Sequence, residues 1–185
     1  LDESAPETSA EEANTAIFYS ISNTQKGLQG ISFGPFLIKQ VVTSLRQQLP
    51  NLKTFSTLSP IPGFRRWLVS YFEQTLGTAE QETALQALTE AAGLLKVAVE
   101  PEAVFNAPQW WENPEVADLL KEPLLSLCAR YLHELREKDQ APVDPVARFH
   151  LGNGARIEGL NWLGDTSAKG MRESCGLMVN YLYQL

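Results

Sequence analysis

The chain of 185 residues is long enough for one substantial core, and 44% apolar residues is ordinary for a globular protein. Its net charge of −7 gathers in the first dozen residues, at Asp2, Glu3, Glu7, Glu11 and Glu12, and no basic stripe stands out, which argues against nucleic acid as a partner. No apolar run has membrane-spanning length and no secretory signal pattern is seen, so the expectation is no membrane and a cytoplasmic protein; a mitochondrial or peroxisomal address stays open for a eukaryotic source.

Residues 1–14, LDESAPETSAEEAN, are acidic, small and proline-bearing and read as a flexible tail or the end of a linker. TAIFYSIS follows, rich in β-branched and aromatic residues, and reads as a strand buried on both faces. The glycine-rich NTQKGLQGISFG leads to PFLIKQVVTSLRQQL, in which Leu37, Val41, Leu45 and Leu49 recur every four residues and predict an amphipathic helix. LKTFST reads as a second strand. The order strand, glycine loop, helix, strand is that of an α/β layer with parallel neighbouring strands.

LSPIPGF, residues 58–64, comes next. Two prolines in three residues fix φ and remove two backbone donors, and Pro60 drives Ser59 toward extended geometry. Phe64, Trp67, Leu68 and Tyr71 then recur at helical spacing, so Ser59 has two readings. It could cap that helix, but if Pro60 is the first helical residue, Pro62 is the third and only Ile61 has an N–H to give. The other reading is a functional hydroxyl held rigid by its prolines.

Through the middle the pattern is helical. Thr78 and Gln81 form a capping box ahead of Leu85, Leu88, Ala92 and Leu95. Asn113-Pro114 begins a further helix striped by Val116, Leu120, Leu124, Leu127, Tyr131 and Leu135, on which His133 reads as a solvated surface residue. VARFHL and RIEGLNWLG read as strands joined by an Asn153-Gly154 hairpin turn. The last segment places Met171, Cys175, Met178 and Leu182 on one helical face. There is no internal repeat.

Cys128 and Cys175 lie in apolar contexts and read as reduced core residues, and with His133 and His150 the only histidines, a zinc site has too few well-spaced ligands. Between the first strand and helix, Gln25, Gly27, Gly30 and Gly34 have two readings: glycines there let backbone N–H groups converge on an anion such as a pyrophosphate, or they serve the turn alone. The Lys-Ser/Thr of a nucleotide-triphosphate loop is absent. Strand alternation sets Val146, Arg148 and His150 on the less apolar face of VARFHL, where His150 is either exposed or a proton-transfer group. NYLYQL offers Tyr181 and Tyr183 as further candidates, with rim packing as the plain alternative for either.

In this order, NTQKGLQGISFGPFLIKQVV, FSTLSPIPGFRRWL, RFHLGNGARIEGLNW and SCGLMVNYLY closely resemble the catalytic region of malonyl-CoA decarboxylases, from about Ala16 to the C-terminus and more weakly through the helical middle. The resemblance implies an α/β, GNAT-like mixed sheet flanked by helices over residues 15–185, with a helical insertion at about 77–140. It also implies coenzyme A held at Gln25, Lys26, Gly27, Leu28, Gln29 and Gly30, and a Ser–His pair falling on Ser59 and His150, with Tyr183 a further catalytic candidate. Some members of the family carry an acidic residue where Ser32 stands.

The implied reaction takes malonyl-CoA to acetyl-CoA and CO2 through a thioester enolate, with no metal and no cofactor beyond the coenzyme A moiety of the substrate. An acyl-CoA-dependent acyltransferase and a non-catalytic acyl-CoA-binding domain are the alternatives, and homo-oligomerisation is left open. The family also has a helical domain and further strands ahead of the matching region, so this chain is expected to be part of a larger catalytic unit.

Overall fold

The computed structural model describes residues 9–19, 34–74 and 77–183. In chain order the elements are β1 (Thr15–Tyr19), α1 (Gly34–Gln48), β2 (Thr54–Pro60), α2 (Phe64–Glu73), α3 (Ala79–Leu95), α4 (Pro101–Asn106), α5 (Pro114–His133), α6 (Pro145–Gly152), β3 (Ala155–Asn161), α7 (Ala168–Ser174) and β4 (Met178–Tyr183). The strands form one mixed sheet in the order β1-β2-β4-β3. β1 and β2 are parallel, with Thr15 opposite Thr54 and Tyr19 opposite Leu58, and α1 lies in the crossover between them. The strand–helix–strand order read from the sequence is therefore present.

By internal contacts the chain divides into two units. The first, Leu1–Ser59 with Phe149–Gly159 and Asn180–Leu185, holds most of the sheet. Phe55 on β2 is fully buried, stacked with Phe18 at 6.4 Å and covered by the Arg46 guanidinium at 5.2 Å. Residues of the acidic leader are tied to it: the N–H groups of Lys53 and Thr54 donate to the Asn14 carbonyl at 2.9 and 3.0 Å, and the Asn51 side-chain amide donates to the Glu11 carbonyl at 2.6 Å.

Two expectations about this unit change. β1 is not covered on both faces. Its residues alternate between half-buried and exposed, with Ile17 48% and Tyr19 66% accessible, so one face is open, and among the described residues it also stands at the end of the strand order with β2 as its neighbour. On α1 the four-residue repeat has the wrong phase. The buried residues are Ile38 and Val42, followed by half-buried Leu45, whereas Val41 is exposed and half-buried Leu49 lies one residue past the helix end; a step of 3.6 residues carries a strict four-residue repeat off the face.

The second unit, Pro60–Arg148 with Leu160–Val179, holds α2 to α5 and α7. α2 buries Phe64, Leu68 and Tyr71, and Trp67 stacks on Tyr71 at 5.0 Å and tilts against Tyr131 of α5 at 5.4 Å. The buried face of α3 is Ala84, Ala87, Leu88, Ala91 and Ala92, small side chains that let α5 approach closely, while Leu85 is exposed. Thr78 accepts from the Gln81 N–H at 3.2 Å, as the capping box requires, but the Gln81 amide turns to the carbonyls of Tyr71 and Gln74. The α5 stripe from Val116 to Tyr131 is buried as read, Asn113 caps it, and Leu135 falls beyond its end, 48% accessible. Trp110, fully buried, gathers Phe105, Trp111 and Trp162 around itself.

The C-terminal third departs most from the sequence reading. VARFHL is helical, not a strand, and Asn153-Gly154 closes that helix instead of turning a hairpin: their N–H groups donate back to the carbonyls of His150 and Leu151, and Gly154 has φ +81°. The cause is Asp144, whose Oδ1 accepts from the N–H groups of Val146 and Ala147 at 2.9 and 2.7 Å, with Pro145 as the first helical residue. Nor do Met171, Cys175, Met178 and Leu182 share a helix face. α7 stops at Ser174 because Cys175 (φ 53°) and Gly176 (φ +81°) are both left-handed, and β4 follows. A Cβ on Gly176 would also crowd the Met171 sulfur at 2.9 Å.

Candidate functional site

Ser59 is the penultimate residue of β2 and is 4% accessible. α2 begins only at Phe64, with Gly63 at the N-cap and no side-chain cap bond, so the serine hydroxyl caps no helix. It is hydrogen-bonded elsewhere. Strand alternation puts Thr57 on the same face two residues earlier, and the Ser59 hydroxyl donates to Thr57 Oγ1 at 2.8 Å. On its other side His150 Nε2 stands 3.3 Å from Ser59 Oγ.

His150 reaches this point from the last turn of α6, where helical spacing buries it together with Ala147 one turn earlier. Its Nδ1 lies 2.8 Å from the Tyr183 hydroxyl, and its ring stacks on Tyr181 at 4.4 Å and 20°. Tyr181 and Tyr183 alternate inward from β4, the strand beside β2. The Tyr181 N–H donates to Thr57 Oγ1 at 3.2 Å, and the Asn180 amide donates to the Thr57 carbonyl at 2.6 Å. Ser59, His150 and Tyr183 thus form one hydrogen-bonded row, all within the first unit.

Burial sets the charge state of the row. Desolvation lowers the His150 pKa to about 4 and raises that of Tyr183 to about 12, so both are neutral at physiological pH. A neutral imidazole donates from one nitrogen and accepts at the other. It can take a proton on one side while releasing one on the other.

The remaining candidates lie apart or outside the described residues. Gln25, Lys26, Gly27, Leu28, Gln29, Gly30 and Ser32 fall outside them. His133 is exposed on α5 and donates from Nδ1 to the Ala129 carbonyl at 2.8 Å. Cys128 and Cys175 are free and buried, and desolvation pushes both thiols up, Cys175 to about 12. Among the described residues no three His, Cys, Asp or Glu side chains gather in a way that could hold a metal ion, and no helix is long and apolar enough to cross a membrane.

The sequence reading missed Thr57 and Asp144. The signal for Thr57 was its i, i+2 relation to Ser59 on a strand. For Asp144 it was Asp-Pro ahead of an apolar run, a helix start.

The sequence profile of the malonyl-CoA decarboxylase C-terminal domain matches residues 1–185. The chain belongs to this family. The mitochondrial malonyl-CoA decarboxylase of Rattus norvegicus is 42% identical over 188 residues, and that of Anser anser anser 43%. These alignments take in 97% and 99% of the chain but 38% and 37% of the relatives, so the chain spans well under half the length of the curated proteins it matches. Among solved structures, the malonyl-CoA decarboxylase of Agrobacterium vitis superposes with a TM-score of 0.80 at 50% identity, covering 100% of this chain and 42% of that one. The enzyme from Rhodopseudomonas palustris gives 0.78 at 49% identity, covering 99% and 39%. A decarboxylase C-terminal domain is thus the setting in which the buried row lies.

Proposed function

We propose that the protein to which this chain belongs decarboxylates malonyl-CoA to acetyl-CoA and CO2, and that Ser59, His150 and Tyr183 carry the proton the reaction consumes. The observation behind this reading is the row Ser59–His150–Tyr183, neutral and buried, in a chain of the malonyl-CoA decarboxylase family. When the bond to the carboxylate breaks, its electron pair enters the thioester as an enolate and CO2 leaves. The enolate carbon then takes one proton.

Binding of the remote coenzyme A moiety holds the breaking bond out of the thioester plane, a part we assign to residues Gln25 to Gly30. The Ser59 hydroxyl hydrogen-bonds the malonyl group, and a fixed donor to a developing oxyanion contributes about 3–4 kcal/mol. Proton balance follows the row. Ser59 gives its proton to the enolate carbon and takes one from His150 Nε2, Nδ1 takes the Tyr183 proton, and the phenolate takes one from water, which leaves as hydroxide; the imidazole, now protonated on Nδ1, exchanges back to its Nε2–H tautomer before the next turnover.

The test is incubation of the full-length protein with malonyl-CoA, with and without an amine acceptor. Acetyl-CoA and CO2 in equal amounts are expected. An acylated amine would make it a transferase, and binding without turnover an acyl-CoA-binding protein. Ser59→Ala should keep its melting temperature and lose about 10²–10³-fold in turnover; an unchanged turnover would remove Ser59 from the chemistry.

A further inference from the structure

We infer that Thr57 is a positioning residue that fixes the direction of the Ser59 hydroxyl and, through it, which nitrogen of His150 carries the proton. This rests on the decarboxylase reading for its link to turnover, but the geometry stands independently. Thr57 is fully buried, its β-branched side chain has few rotamers, and the Tyr181 N–H at 3.2 Å holds Oγ1 in place from the neighbouring strand. One face of that oxygen is thereby occupied, and the other looks onto Ser59 Oγ at 2.8 Å.

Serine has one proton to place and two acceptors in reach. Thr57 Oγ1 at 2.8 Å is at the usual length for a bond between hydroxyls, whereas His150 Nε2 at 3.3 Å is long. With Ser59 as the donor of the shorter bond, its proton rests on Thr57, the Thr57 proton is turned away from it, and a Ser59 lone pair faces the imidazole. Nε2 then carries hydrogen and donates to Ser59, while Nδ1 accepts from Tyr183 at 2.8 Å. A phenol is a stronger acid than a neutral imidazole N–H, so this is also the stronger bond at the Tyr183 end. The resting row runs Tyr183 to His150 to Ser59 to Thr57. When substrate draws the Ser59 proton away from Thr57, every later donor already points the right way.

Thr57→Val has nearly the same shape without the hydroxyl. The Ser59 proton then has His150 Nε2 as its nearest acceptor, which requires hydrogen on Nδ1. The experiment is ¹⁵N NMR of selectively labelled histidine in the full-length protein, with His150 assigned by its own substitution, beside steady-state kinetics on malonyl-CoA. In wild type His150 should be the Nε2–H tautomer. In Thr57→Val it should move to Nδ1–H, with kcat down about tenfold and KM little changed, and Thr57→Ser should restore both.

A wild-type Nδ1–H signal, or one that Thr57→Val leaves unaltered in a variant that keeps its fold, overturns the inference. Wild type that does not turn over malonyl-CoA overturns the decarboxylase reading instead, and the tautomer comparison still decides the role of Thr57.

Discussion

His150 carries a stability cost that pH exposes. Its folded pKa is near 4, below the ordinary value of 6.5, because its ring is buried and walled by Tyr181, Tyr183 and Phe149, and burial disfavours the charged form. The unfolded chain takes the proton first as pH falls. The contribution of the buried neutral ring is therefore complete above about pH 6.5 and is lost as pH drops toward 4. Asp144, raised by desolvation, works the other way, since the folded state takes up its proton more readily. Comparison of wild type with His150→Gln isolates the histidine: urea midpoints should fall more steeply between pH 6.5 and 4 in wild type. Equal slopes would mean that the imidazole is not held neutral. By the same reasoning, the pH profile of kcat/KM should show no imidazole limb between pH 6 and 8.

At the scale of elements, α6 is a short helix whose start is held by one carboxylate. Asp144 is fully buried, its Oδ1 caps Val146 and Ala147, and its Oδ2 accepts from the Tyr131 hydroxyl at 3.4 Å. Gly63 packs so near that hydroxyl that any Cβ there would collide with it. Asp144→Ala should lower stability by about 0.5–2 kcal/mol for the lost cap, and more if the Tyr131 hydroxyl is left unsatisfied. Asp144→Asn keeps a capping oxygen and should recover most of the loss. Chemical denaturation of the two variants checks this; equal stability of Asp144→Ala and wild type would mean that α6 starts without help from the cap. Because α6 carries His150, the Asp144→Ala variant should lose turnover as well.

Across the whole molecule, β1 bears on how the chain behaves on its own. Ile17 and Tyr19 are exposed on a strand that, among the described residues, pairs with β2 on one side. An accessible apolar strand edge is a template for association. We expect the 185-residue chain expressed by itself to self-associate, and the full-length protein to bury this edge. Sedimentation velocity at several concentrations distinguishes the cases. A concentration-independent monomer of the isolated chain would show that β1 is protected as it stands.

Family membership, the β1–α1–β2 order, the caps at Thr78 and Asn113 and the extended setting of Ser59 could all be read along the chain. Family membership rests on segments spread along the chain, and each of the others depends on neighbours within a few residues: apolar period, a capping side chain, or a proline that forbids helix. VARFHL was misread because its β-branched and aromatic residues outweighed the nearby Asp144 cap, and the helix read through Cys175 and Met178 because two left-handed residues interrupt an apolar pattern that itself continues. The meeting of Ser59, His150 and Tyr183 is a different matter, for the residues stand 91 and 33 positions apart. Nothing local specifies that β4, the last strand in sequence, lies beside β2, or that α6 delivers its final turn to the same point. Those pairings are chosen by burial and by backbone hydrogen bonds between distant segments. The same burial leaves the imidazole neutral and gives Ser59 a threonine, not a helix end, as its partner.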